Sequence, residues 1–302
     1  MKILCLFLSL LCVLPPVFGA GPKVVTLHPL LTELVRDLVG EAVTVKGVFP
    51  PNGNAHSFEP APKDLVEMQD AVLVVAMGKH LEPYLDRLRE NLPAAVPIYE
   101  AGRLVPSLKS DPETAMFACC PVHGLSAIDP HWWQSPVAVR RAVRHLGREL
   151  EKIFPEMKSE IRDRSTEKMR RLEELDTWAE QTLSVIPSED RKLVTTHNAF
   201  GYFCARYHFQ AIPVRGITNE RDPSPEELAG TMEIIRTHGV KALFPESNAS
   251  ADFLRSVHEA SGIPLSDPLN ADFVLADNQS YEEVFQQNVR ALVKALSPPS
   301  SE

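Results

Sequence analysis

"KVVTLH" (Lys23–His28) and "KLVTTH" (Lys192–His197) are nearly one hexapeptide written twice, 169 positions apart. Each is a short β-branched apolar run that ends in a histidine, the pattern of a buried strand reaching a loop. Three weaker echoes follow in the same order. "VKG" (45–47) returns as "VRG" (214–216), "EPAPKDL" (59–65) as "DPSPEEL" (222–228), and "PYL" (83–85) as "DFL" (252–254). Four matches in sequence predict two similar lobes rather than one long domain.

Within each lobe, strand-like and helix-like stretches alternate. "KVVTL", "AVTVKGV" and "AVLVVA" are separated by "PLLTELVRDLVG" and "PKDLVEM"; the second lobe offers "KLVTT", "AIPVRG" and "VKALFPE". Alternation of this kind predicts an α/β fold, each lobe a mostly parallel sheet flanked by helices. The expected lobes span 20–134 and 187–302. The charged region between them, 135–186, is interrupted by Pro155 and then runs from Glu156 to about Leu183 without Gly or Pro. Helical throughout, that piece would be roughly 40 Å long at about 1.5 Å per residue. It reads either as a surface helix of one lobe or as a stiff linker helix bracing both, with a cleft between the lobes.

Composition narrows the function. A chain of 302 residues with 44% hydrophobic content can bury substantial cores, and a net charge of -9 argues against a nucleic-acid partner. Residues 1–19 carry one lysine, an apolar run and small residues before Ala20, which predicts an export signal. Cys12 follows Leu11 rather than a small residue, so the mature protein is expected to be free rather than lipid-anchored; it is also expected to be a monomer. Removal of the signal leaves Cys119, Cys120 and Cys204, an odd set that does not suggest a disulfide framework.

Open parallel sheets bind ligands beyond the carboxyl ends of their strands. His197 stands at such an end. His56 lies in the proline-stiffened loop "PPNGNAHSFEPAP", His131 in "IDPHWW", and Asp267 in "GIPLSDPLNAD". Three imidazoles and one carboxylate form a donor set suited to Zn²⁺, with Mn²⁺ or iron possible. His28 is the reserve ligand, since the repeat pairs it with His197. Glu59 either caps the helix near Pro62 or orients His56. His80, His123, His145, His208, His238 and His258 read as surface histidines, and Trp132 and Trp133 as core or cleft lining.

Together "NAHSFEP", "DPHWW", "VTTHNAFGYF" and "SDPLNAD" resemble the metal-binding solute-binding proteins of ABC importers, whose two lobes are joined by one long helix. The resemblance covers essentially the whole mature chain. It implies a periplasmic receptor that delivers zinc to a transmembrane permease, with His56, His131, His197 and Asp267 as ligands, Asp272 being the second-choice register for the carboxylate, and no catalytic role. Histidine rather than glutamate at 197 favours zinc over manganese. The loop "SLKSDPETAMFACCPVHGLSA" departs from the His- and acid-rich loop of many zinc members. A secreted zinc hydrolase would need an open coordination position and a general base, and no HExxH motif is present. An adhesin is the remaining alternative.

Overall fold

The structure, a computed structural model, describes residues 21–51, 53–109, 128–214, 224–247, 252–276 and 279–298. The expected export signal, Cys119, Cys120 and His123 lie outside the described residues.

The first sheet has the order β2-β1-β3-β4, from β1 (Lys23–Thr26), β2 (Thr44–Gly47), β3 (Leu73–Ala76) and β4 (Ile98–Glu100). The second has the order β6-β5-β7, from β5 (Lys192–Thr195), β6 (Gln210–Pro213) and β7 (Leu243–Phe244). Every paired strand in both sheets is parallel. Alternate residues of each strand face opposite layers. Val24, Val75 and Leu193 enter a core that continues from one sheet to the other. Val25 and Val74 enter an outer cluster of the first sheet, and Val194 and Leu243 one of the second. Strands covered on both faces read as continuous apolar runs, which is why they were legible in the sequence.

The repeat predicts the topology well and one register badly. Val25 pairs with Val74 as Val194 pairs with Leu243, so the first, third and corresponding second-lobe strands keep the 169-residue displacement. The "VKG"/"VRG" match does not hold in the sheet. Lys23 pairs with Thr44 whereas Lys192 pairs with Gln210, a displacement of 166 from residue 44 to residue 210. The helix between the paired strands explains the shift: α1 (Pro29–Val39) has 11 residues, while α6 (Gly201–Tyr207) has 7.

Nine α-helices are seen among the described residues. Besides α1 and α6 they are α2 (Pro62–Met68), α3 (Leu85–Asn91), α4 (Pro136–Ile153), α5 (Lys158–Leu183), α7 (Pro225–His238), α8 (Asp252–Ser261) and α9 (Tyr281–Leu296). Proline opens α1, α2, α4 and α7, where its missing N–H costs no hydrogen bond. Pro155 separates α4 from α5, as its ring and missing donor require. The two helices then fold back on each other. Gly147 of α4 permits this, because a Cβ there would sit 2.3 Å from the Ser165 hydroxyl of α5.

Helix α5, with 26 residues, is the long brace. Ile161, Leu172, Leu175, Ala179 and Leu183 are buried on one stripe, while Met169 and Trp178 are only partly covered. Lys168 completes the stripe although it is charged, with a side chain 1% exposed. It ion-pairs with Glu33 (2.7 Å) and Asp37 (3.0 Å) of α1 and with Glu282 (3.0 Å) of α9. One buried ammonium therefore ties the long helix to elements from both halves. None of the helices among the described residues is long and apolar enough to cross a membrane.

Candidate metal site

Four side chains converge between the sheets. The ligating atoms available on His56, His131, His197 and Asp272 all lie within 4.8 Å of one another. His56 Nε2 and His131 Nε2 are 3.1 Å apart, and Asp272 Oδ1 is 3.8 Å from His56 Nε2 and 3.7 Å from His197 Nε2. A tetrahedron with zinc–nitrogen bonds of about 2.0 Å has edges of about 3.3 Å, so small adjustments would close this cluster around one ion. The donors are dry: side-chain exposure is 6% for His56, 0% for His131 and His197, and 4% for Asp272.

Each histidine is aimed by its own element. His56 sits in a turn in which Asn54 Oδ1 accepts the backbone N–H groups of His56 (2.8 Å) and Ser57 (3.2 Å), an Asx arrangement that fixes the loop before α2. His131 is held by Asp129, whose Oδ1 lies 2.8 Å from both the His131 backbone nitrogen and Nδ1. His197 follows β5 and is held by Glu246, just beyond β7. Glu246 accepts the backbone N–H at 2.9 Å and lies 2.5 Å from Nδ1. A carboxylate on Nδ1 keeps the hydrogen there and turns the Nε2 lone pair inward, the orientation a metal requires.

Burial and neighbouring charge set the protonation of the site. Burial, reinforced by the neighbouring imidazoles, holds His56 well below the ordinary histidine range. Burial and the His197 charge do the same to His131. His197 is different: burial opposes its charge, but the Glu246 carboxylate outweighs it and lifts the imidazole to about 9. Burial pushes Asp129 up to about 7 and Asp272 up to about 6.

Three of the four expected residues meet here, and Asp267 does not. Its side chain is 58% exposed and forms an ion pair with Lys294 at 2.8 Å. The reason is local: Leu265 and Leu269 form parallel bridges to Leu243 and Glu246, so this segment still runs beside β7 at residue 267. The chain reaches the cleft only afterwards, and Asp272 is the carboxylate that arrives. Trp133 Nε1 (2.9 Å) and Gln134 Nε2 (2.5 Å) both donate to the Ala271 carbonyl and anchor that approach.

His28 is buried beside the site but outside the four-residue cluster. Glu59 takes neither of its expected roles. It pairs with Arg87 at 2.9 Å, while Asp64 accepts the Ala61 N–H at the start of α2. His80 and His208 are exposed, and His238 and His258 bond to the Ile234 and Ile263 carbonyls, away from the site. Trp132 and Trp133 are fully buried, as expected of core residues. Sequence reasoning passed over the supporting carboxylates Asp129 and Glu246. The signal was available, because Glu246 stands at the end of the strand "ALFPE" just as His197 stands at the end of "KLVTT".

Comparison with known proteins agrees with this architecture. The chain is 24% identical over 282 residues to the manganese-binding lipoprotein MntA of Halalkalibacterium halodurans, covering 92% of this chain and 90% of that protein. It is 25% identical over 280 residues to the high-affinity zinc uptake system protein ZnuA of Bacillus subtilis, covering 90% and 86%. The fold superposes with a TM-score of 0.82 on the periplasmic zinc-binding protein TroA of Treponema pallidum. That match has 21% identity and covers 92% of this chain and all of TroA. Residues 24–295 match the family described as ZnuA, zinc-uptake complex component A, periplasmic, and the chain belongs to that family.

Proposed function

We propose that the protein is an extracytoplasmic receptor that captures one divalent transition ion, most readily Zn²⁺, and hands it to the permease of an ABC importer. The observation that supports this reading is the convergence of three buried imidazoles and Asp272, two of the imidazoles backed by carboxylates. Four protein donors complete a tetrahedral shell, whereas a catalytic zinc keeps one position open for water. On this reading the metal is cargo and the protein is not an enzyme. Its partners are the ion and the permease, and the receptor works as a monomer.

Three nitrogen donors to one oxygen favour zinc, because harder ions prefer a richer oxygen set. A manganese receptor is the second reading, and its support is the relation to a protein named for manganese binding. Elemental analysis of purified protein, followed by competition titration of Zn²⁺ against Mn²⁺, separates them. One equivalent of zinc, displaced poorly by manganese, is expected. Tighter manganese binding would reverse the assignment, and no bound metal of either kind would remove the receptor reading.

A further inference from the structure

Two side chains, one beyond β3 and one in α6, hold a short strap of chain at residues 105–108. Lys79 holds it from the first sheet: its Nζ donates to the Val105 carbonyl at 2.8 Å and to the Ser107 hydroxyl at 2.7 Å. The backbone accepts strain to put the ammonium there, since Gly78, Lys79 and His80 have φ of 78°, 56° and 65°. A left-handed lysine persists only where its surroundings enforce it.

Tyr202 holds the residues between. Its hydroxyl donates to the Pro106 carbonyl at 2.9 Å and accepts the Leu108 backbone N–H at 3.0 Å. In an extended segment the carbonyl of one residue and the N–H two residues on lie along the same edge. One phenol oxygen, which both donates and accepts, satisfies that pair as a neighbouring strand would. The strap then leads to the site. The Leu108 carbonyl accepts the Asp129 N–H at 2.9 Å, and Lys109 bridges Ile128 in the antiparallel sense. Asp129 in turn holds His131 through Nδ1.

We propose that Tyr202 is a positioning residue for the ion: its hydroxyl clasps the strap to α6 and, through Leu108 and Asp129, keeps the His131 ring aimed. Parting the two sheets would break both of its hydrogen bonds, so the clasp also slows release. The proposal rests on the reading of the four-residue cluster as an ion-capture site.

Tyr202→Phe removes the hydroxyl and keeps the ring. Zinc should leave the variant about 3- to 10-fold faster than the parent, the scale of one net hydrogen bond. In proton NMR of the zinc-loaded protein, the His131 ring N–H facing Asp129 should exchange with water faster in the variant. The His197 ring N–H, held by Glu246 instead, should be unchanged and serves as the internal reference. Tyr207→Phe controls for general loosening, because that phenol lies on the same helix but donates to Asp176 of α5 at 2.8 Å. It should lower stability to urea and leave zinc release at the parent rate. Equal acceleration of release by Tyr207→Phe, or equal changes at both ring protons, would overturn the positioning role. A parent that takes up no zinc would remove the capture reading and this proposal together. Zinc uptake with an unaltered release rate in Tyr202→Phe would remove this proposal alone.

Discussion

At the scale of single residues, Glu246 does two things to His197: it fixes the tautomer and it raises the imidazole to about 9. In the folded, metal-free protein that raised value stabilises the structure fully below the unfolded value near 6.5, and the contribution is lost as pH rises through 9. A cation at Nε2 competes with that proton. Zinc affinity should therefore climb between about pH 6.5 and pH 9 and release about one proton from this residue. Calorimetry in buffers of different ionisation enthalpy measures it. Glu246→Gln should lower affinity about 10- to 100-fold and move the rise to lower pH, since the carboxylate that holds the proton is gone. His197→Ala should cost more than Glu246→Gln. A parallel pair tests the carboxylate register: Asp272→Ala should weaken zinc binding sharply in competition with a fluorescent chelator, and Asp267→Ala should leave it unchanged.

At the scale of elements, the site depends on how closely α6 approaches the loop carrying Asp129. A Cβ on Gly201 would lie 2.3 Å from Asp129 Oδ2, so Gly201→Ala should displace the carboxylate that orients His131. Weaker zinc binding with a modest loss of stability, about 1–3 kcal/mol, is the expected outcome, read by titration and urea unfolding. Elements also explain what the sequence could and could not disclose. Strands such as Leu73–Ala76 are buried on both faces and so announce themselves as apolar runs. His56, His131 and His197 were legible because each stands where an element ends and a loop turns inward. Of the two registers the sequence offered, Asp272 rather than Asp267 joins the cluster, because the two bridges at Leu265 and Leu269 extend the sheet without any β-branched run to mark them. Asp129 looks like an ordinary loop acid until the fold sets it behind an imidazole, whereas Glu246 carries the same strand-end signal as His197.

At the scale of the whole molecule, the two sheets are held by more than a shared core. Lys168 of α5 reaches Glu33 and Asp37 from one side and Glu282 from the other, and Arg171 adds a contact to Asp37 at 2.7 Å. Burial pushes Glu33 up to about 7 even with the ammonium beside it. Lys168→Met would leave these carboxylates facing a partly apolar space. The loss should be about 3 kcal/mol or more in urea unfolding, the range for breaking a buried pair on one side. It should exceed the effect of removing an exposed pair such as that of Arg170 with Glu167.

The dryness of the four donors carries a kinetic consequence. With His131 and His197 wholly shut away from water, exchanging these two donors for solvent molecules one at a time is disfavoured. If escape waits for the halves to part, the lifetime of a loaded form should reflect how stiffly the polypeptide resists opening rather than the bond strengths around the cation. A docking partner that spreads the halves would then unload the cargo without any change in its intrinsic chemistry.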